Sequence, residues 1–193
     1  EKAFRKKQLL PIIKNKIYSV FNSKYLLENT SSIYFFKQKL IIPNFLTKEF
    51  ENVKINYRRK PYFVWSVQRD RGLNDLINLW IKKVYPNNKN LKLFIFGINI
   101  EKINIVKINY KSYNIFFKGR VNKSTLIKYY RNSIGMICLG YDETFCLNAI
   151  ESYACGLPIL TFGLTAVSEI STKKNSFRGS NFNHIYKHIV FLS

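Results

Sequence analysis

Acidic residues are scarce in this chain: 11 Asp and Glu stand against 32 Lys and Arg, a formal charge of +21 over 193 residues. Such a balance draws polyanions, whether nucleic acid, anionic lipid or a diphosphate-bearing substrate, without choosing among them. The lysines are spread along the chain and form no stripe beside aromatics on any one element, so nucleic acid is not the expected partner. No run approaches the roughly 20 uninterrupted apolar residues that cross a bilayer, because lysine or asparagine breaks each one. The three cysteines, Cys138, Cys146 and Cys155, are an odd set without paired close spacing. They read as small core residues and point to a reducing, cytoplasmic compartment. The two histidines, His184 and His188, lie four apart but have no HExxH around them and no further ligand nearby, so no metal is expected. Neither a Walker loop nor a G-x-G-x-x-G turn is present, which removes the usual support for ATP hydrolysis and dinucleotide redox chemistry.

What the sequence does contain is a globular composition, 47% hydrophobic and 22% charged, sufficient for one well-cored domain with some additional elements. Strand-like and helix-like patterns alternate along it. Phe63 to Val67 is β-rich, and Leu73, Leu76, Ile77, Trp80, Ile81 and Val84 fall on one helical stripe. Pro86 to Asn90 supplies a turn before the apolar run Leu91 to Phe96. Ile98 to Tyr113 mixes both periodicities and reads as a short helix or irregular connection. Asn114 to Lys118 is a third strand, Ser124 is placed to cap a helix carrying Leu126 and Tyr130, and Met136 to Leu139 is a fourth strand. A helix over 146–155 stops at Gly156, with Pro158 opening the strand Ile159 to Phe162. Repeated βα units predict an α/β fold with a Rossmann-like, doubly wound parallel sheet, whose ligands bind beyond the carboxyl ends of its strands. The first forty-odd residues repeat the pattern on a smaller scale: a basic helical stretch, a strand over 17–20, a helix near 23–28 and a strand over 39–42. A helix over 181–192 closes the chain.

The informative segment is Asp142 to Pro158, DETFCLNAIESYACGLP. Glu143 lies in the loop after a strand, and Glu151 follows eight positions later inside the helix that this loop starts. Open N–H groups and the helix dipole make such a helix start a receptor for phosphate. Carboxylates on either side of it can accept hydrogen bonds from sugar hydroxyls, an arrangement suited to a sugar-diphosphate-nucleoside.

E-x7-E followed by A-C-G-x-P resembles the signature of retaining family-four GT-B glycosyltransferases, also called glycosyl transferases group 1, in their C-terminal donor-binding half. The resemblance implies that Glu143 binds donor-sugar hydroxyls and takes part in catalysis, that Glu151 holds the ribose diol, and that amides near Phe145, Cys146 and Leu147 face the diphosphate. The family often has glycine where this chain has Cys146. SVQRDRGLNDL, from Ser66 to Leu76, is similar to the family's basic strand-end segment. There Arg71 matches the cation that neutralises the leaving diphosphate, and Arg69 matches a second arginine. Gly119, Arg120 and Val121 resemble the turn beside which the family seats the base, with Gly119 and Val121 as the contacts carried over. Glu169 resembles a further recurrent acidic position.

The resemblance implies transfer of a hexose-type sugar from a nucleotide-diphosphate donor to a hydroxyl, with retention and with neither metal nor other cofactor. The expected acceptor is a lipid-linked or polysaccharide hydroxyl, with peripheral contact to an anionic membrane. Residues 1–44 are expected to be a remnant of the N-terminal acceptor domain, 45–60 a linker, and 61–193 the nucleotide-sugar-binding domain, shorter at its C-terminal end than is usual in the family. Two alternatives remain: a basic module that binds nucleic acid or an anionic surface, and a fragment that binds donor without turnover.

Overall fold

A computed structural model describes residues 18–30, 38–99 and 108–193. The basic stretch at the start and part of the 98–113 connection lie outside them. Eight strands are present among the described residues. Two, β1 (Tyr18–Phe21) and β2 (Gln38–Ile41), pair in parallel and flank the short helix α1 (Lys24–Glu28), whose N-cap Ser23 accepts a hydrogen bond from the Leu26 amide.

The remaining six form one parallel sheet: β3 (Tyr62–Trp65), β4 (Lys92–Phe96), β5 (Ile115–Gly119), β6 (Gly135–Ile137), β7 (Ile159–Thr161) and β8 (Ser176–Arg178). Their spatial order is β5-β4-β3-β6-β7-β8, so the winding direction reverses between β3 and β6. Every residue of β3, β6 and β7 is buried, as expected for central strands covered by helices on both faces. The expected strands 63–67 and 136–139 each begin one residue earlier and end two residues earlier, although the Cys138 amide still donates to the Leu160 carbonyl and the Leu139 carbonyl accepts from the Phe162 amide.

Helix α2 (Leu73–Leu79) buries Leu73, Leu76, Ile77 and Leu79, and it continues through a π-helical turn at Trp80–Val84 into a last turn, Tyr85–Asn87. Pro86 therefore ends the helix from within its last turn, where the sequence suggested the start of a separate loop. It has no N–H to give, and its ring would press on the Lys82 carbonyl; the wider turn falls at this point. Helix α3 (Lys123–Asn132) is capped by Asn122, whose side chain accepts from the Thr125 amide at 2.9 Å, and not by Ser124 as expected. Helix α4 (Leu147–Ala154) follows β6, α5 (Val167–Ile170) follows β7, and α6 (Phe182–Leu192) begins at its cap Asn181. Strand β8 was not anticipated, since three residues carry no readable alternation.

Segment 45–60 lies along the sheet domain. Phe50, in a 3-10 turn at Lys48–Phe50, is buried in the common core. Arg59 donates to the carbonyls of Tyr130, Arg131 and Gly156, at the ends of α3 and α4.

Candidate active site

The reversal between β3 and β6 opens a crevice beyond the carboxyl ends of the strands, where doubly wound sheets take their ligands. It has a volume of about 440 Å³, and Ser66, Arg69, Gly97, Asn99, Arg120 and Asn148 are among the residues around it. Two linked contacts shape its floor. The buried Tyr130 hydroxyl lies 2.6 Å from Ser66 Oγ, and Asn148 on α4 donates to the Ser66 carbonyl, so β3, α3 and α4 are tied at one point. Gly119, at the end of β5, has φ +61° and accepts a hydrogen bond from the Gly97 amide at 2.7 Å; a side chain there would stand 3.2 Å from Asn99 Oδ1. A second hollow, about 420 Å³, lies among Lys60, Tyr62, Lys92, Phe94, Lys128 and Tyr129 at the opposite ends of the strands. No carboxylate and no helix start borders it.

The loop from β6 to α4 carries the two glutamates. It is held from the β7–α5 side, where Thr165 Oγ1 donates to the Gly140 carbonyl at 2.8 Å and the Ala166 amide to the Glu143 carbonyl at 3.2 Å. Cys146, at the N-cap of α4, has φ +65° and ψ +64° and offers no side-chain cap. The first amides of α4 therefore have no capping side chain, as an anion-binding helix start requires. Phe145 is buried beneath this start, whereas Leu147 and Val121 are half-buried.

Arg71 and Glu143 come together. Arg71 Nε is 4.0 Å from Glu143 Oε1, and Arg71 Nη1 donates to the Tyr141 carbonyl at 3.2 Å. Burial raises the Glu143 pKa, with Arg71 opposing the rise and Asp70 adding to it. Arg71 Nε itself is buried without a hydrogen-bond partner. Arg69 lies in the wall of the crevice.

Glu151 is fully buried on α4, and its Oε1 is paired with Lys123 Nζ, while its Oε2 has no partner. Sequence reasoning missed Lys123. The available signal was its place in the first turn of α3, where the helix dipole disfavours a cation unless a carboxylate faces it. Asn148 and the contact between Cys138 and Cys146 were also missed, because nothing in their spacing announces a tertiary neighbour. The two histidines make separate contacts: His184 Nδ1 lies 3.0 Å from Ser180 Oγ and His188 Nε2 lies 3.0 Å from the Arg178 carbonyl.

A six-stranded parallel sheet with this winding, a basic turn after β3 and a carboxylate-bearing loop into α4 define the Rossmann-like half of a GT-B protein. The chain belongs to the glycosyl transferases group 1 family, whose model matches residues 47–179. No curated protein sequence matches it. Among solved structures, the chain is similar to S. aureus TarM, in a point-mutant form complexed with fondaparinux, alpha-GlcNAc-glycerol and UDP: TM-score 0.76, 20% identity, 98% of this chain and 40% of that one. It is similar to the pneumococcal O-GlcNAc transferase GtfA in complex with UDP and GlcNAc, at TM-score 0.68 and 13% identity over 94% of this chain and 39% of that one. Sucrose-phosphate synthase from Thermosynechococcus elongatus matches at TM-score 0.68 and 15% identity over 98% and 53%. The chain thus spans between about two fifths and half of these proteins. No helix among the described residues is long and apolar enough to cross a membrane.

Proposed function

We propose that this chain binds a nucleotide-diphosphate sugar and supplies the donor half of a retaining hexosyl transfer to a hydroxyl. The observation that carries this reading is the buried Glu151 carboxylate, with one oxygen paired to Lys123 and the other without a partner, on the helix that starts at the crevice. A buried, half-satisfied carboxylate is costly unless a ligand completes it. The ribose diol is that ligand, and its two hydroxyls take over from the Lys123 ammonium, whose side chain is 39% exposed and turns outward, leaving its place over the Phe50 ring. The diphosphate then lies against the open amides after Phe145, and the base lies by Gly119, Arg120 and Val121.

Arg71 neutralises charge on the departing diphosphate, which stabilises charge as it develops. Glu143, beside Arg71, receives the sugar hydroxyls. The leaving diphosphate takes the acceptor proton, so the reaction uses no metal cofactor. The UDP in the TarM and GtfA structures supports a nucleoside-diphosphate leaving group. The acceptor is a lipid-linked or polysaccharide hydroxyl, reached at an anionic surface through the net charge of +21. Residues 1–44 belong with the acceptor domain, and 45–60 carry the chain across.

Calorimetric titration with a panel of nucleoside-diphosphate sugars tests this, using the wild-type chain and Glu151→Ala at low and high salt. Base-selective binding, weakened roughly tenfold to a hundredfold by the substitution as for hydrogen bonds to a charged group, is the expected result. Binding that ignores the base, survives the substitution and vanishes in salt would leave only a polyanion-binding domain.

A further inference from the structure

The loop between β6 and α4 contains two thiols that touch. Cys138 Sγ and Cys146 Sγ are 3.3 Å apart and both buried, and with a Glu143 carboxylate oxygen they form a group whose ligand atoms all lie within 4.8 Å of one another. Cys146 makes this contact from a left-handed backbone, at φ +65°. A residue other than glycine is strained there, and strain of this kind is held in place where the site uses the side chain.

We propose that Cys138, Glu143 and Cys146 bind a thiophilic divalent cation of the zinc type. The donor set is two thiolates and a carboxylate within nine consecutive residues, a soft-plus-hard combination suited to zinc and its analogues. The spacing of this thiol–thiol contact is also nearer to that of two sulfurs on one ion than to that of a covalent link. Two sulfurs on one tetrahedral ion, each at about 2.3 Å, stand about 3.8 Å apart, whereas a disulfide would bring them to about 2.05 Å. At 3.3 Å the thiols need to part by only about half an ångström to receive an ion. On binding, each S–H proton leaves to solvent as its sulfur–metal bond forms, so no oxidant is consumed.

Three protein ligands leave a fourth position for water or another group. Occupancy also commits an oxygen of the Glu143 carboxylate, whose Oε1 stands 4.0 Å from Arg71 Nε. If the donor-site reading above holds, the metal and the donor sugar compete for Glu143, and the ion acts as an inhibitor; the site itself does not depend on that reading.

The test titrates Co2+ into the reduced, metal-free chain without oxygen, followed by Zn2+. One equivalent of Co2+ should produce thiolate-to-cobalt charge-transfer and tetrahedral d–d bands, which Zn2+ then abolishes. Cys146→Gly keeps the fold because glycine suits φ +65°, and circular dichroism checks that it does. It should lose affinity by more than the roughly hundredfold that disturbing an outer partner costs. Cys155→Ala, outside the proposed ligand set, should leave the spectrum intact. Absence of the charge-transfer band, its persistence in Cys146→Gly, or a mass two hydrogens lighter in place of metal uptake would each overturn the proposal. None of these readouts uses a nucleotide sugar, so failure here is separate from failure of the donor titration.

Discussion

In the large sheet every residue of β3, β6 and β7 is buried, whereas in the small one every residue of β2 is exposed. Both sheets are parallel, and parallel strands are ordinarily covered on both faces. The large sheet meets that requirement with its own helices: Trp80 of the α2 extension lies edge-on to Phe63 of β3 at 6.2 Å and donates to the Tyr113 carbonyl. The small sheet leaves Val20, Leu40 and Ile42 about half exposed. It is tied to the rest by polar contacts from Glu169, whose carboxylate accepts from the Lys24 amide at 3.1 Å and the Tyr25 amide at 2.5 Å. One region is thus stabilised by burial and the other by a carboxylate at a helix start, and the two respond differently to mutation.

The largest effect is expected in the large sheet. Trp80→Ala should cost about 3–5 kcal/mol in chemical denaturation, because it removes a wholly buried indole and leaves a cavity. Leu40→Ala in β2 should stay within about 0.5 kcal/mol. Similar costs for the two would erase the distinction between the sheets. Next comes the buried charge on α4. Lys123→Met leaves the fully buried Glu151 uncompensated and should cost about 3 kcal/mol at neutral pH. Glu151→Gln should cost much less, since Lys123 is more than a third exposed and can turn to water. A reversed order would mean that the ion pair is unimportant to stability. A local effect is expected for Glu169→Ala. It removes the acceptor of two α1 amides, a loss of about 1 kcal/mol confined to that helix. Hydrogen exchange over 24–28 should quicken while the melting temperature hardly moves, and a shift of the whole transition would show that the small sheet is integral to the core.

Much of the large sheet was legible from local pattern. The β-rich runs before Gly97 and Gly119, the stripe from Leu73 to Val84 and the Gly156–Pro158 punctuation each depend on neighbouring residues alone. The E-x7-E spacing around a helix start was readable for the same reason. Strand ends, the Asn122 cap and β8 were not, since each is decided by which hydrogen bonds the tertiary fold offers a residue that local propensity leaves undecided. The contribution of Lys123 is of the same kind: a lysine 28 positions from its glutamate has no sequence mark that pairs the two. The cysteines were read correctly as buried, but burial alone does not place Cys138 against Cys146.

The sequence by itself determined the alternation of strands and helices, the absence of a membrane-spanning apolar run and the position of two carboxylates around a helix start, because periodicity and short motifs are local. Only the tertiary structure decided that Arg71 faces Glu143, that Lys123 covers Glu151, and that two thiols and a carboxylate converge in the loop before α4. Such contacts follow from the order in which strands assemble into the sheet, and residues far apart in the chain become neighbours only when that order is set.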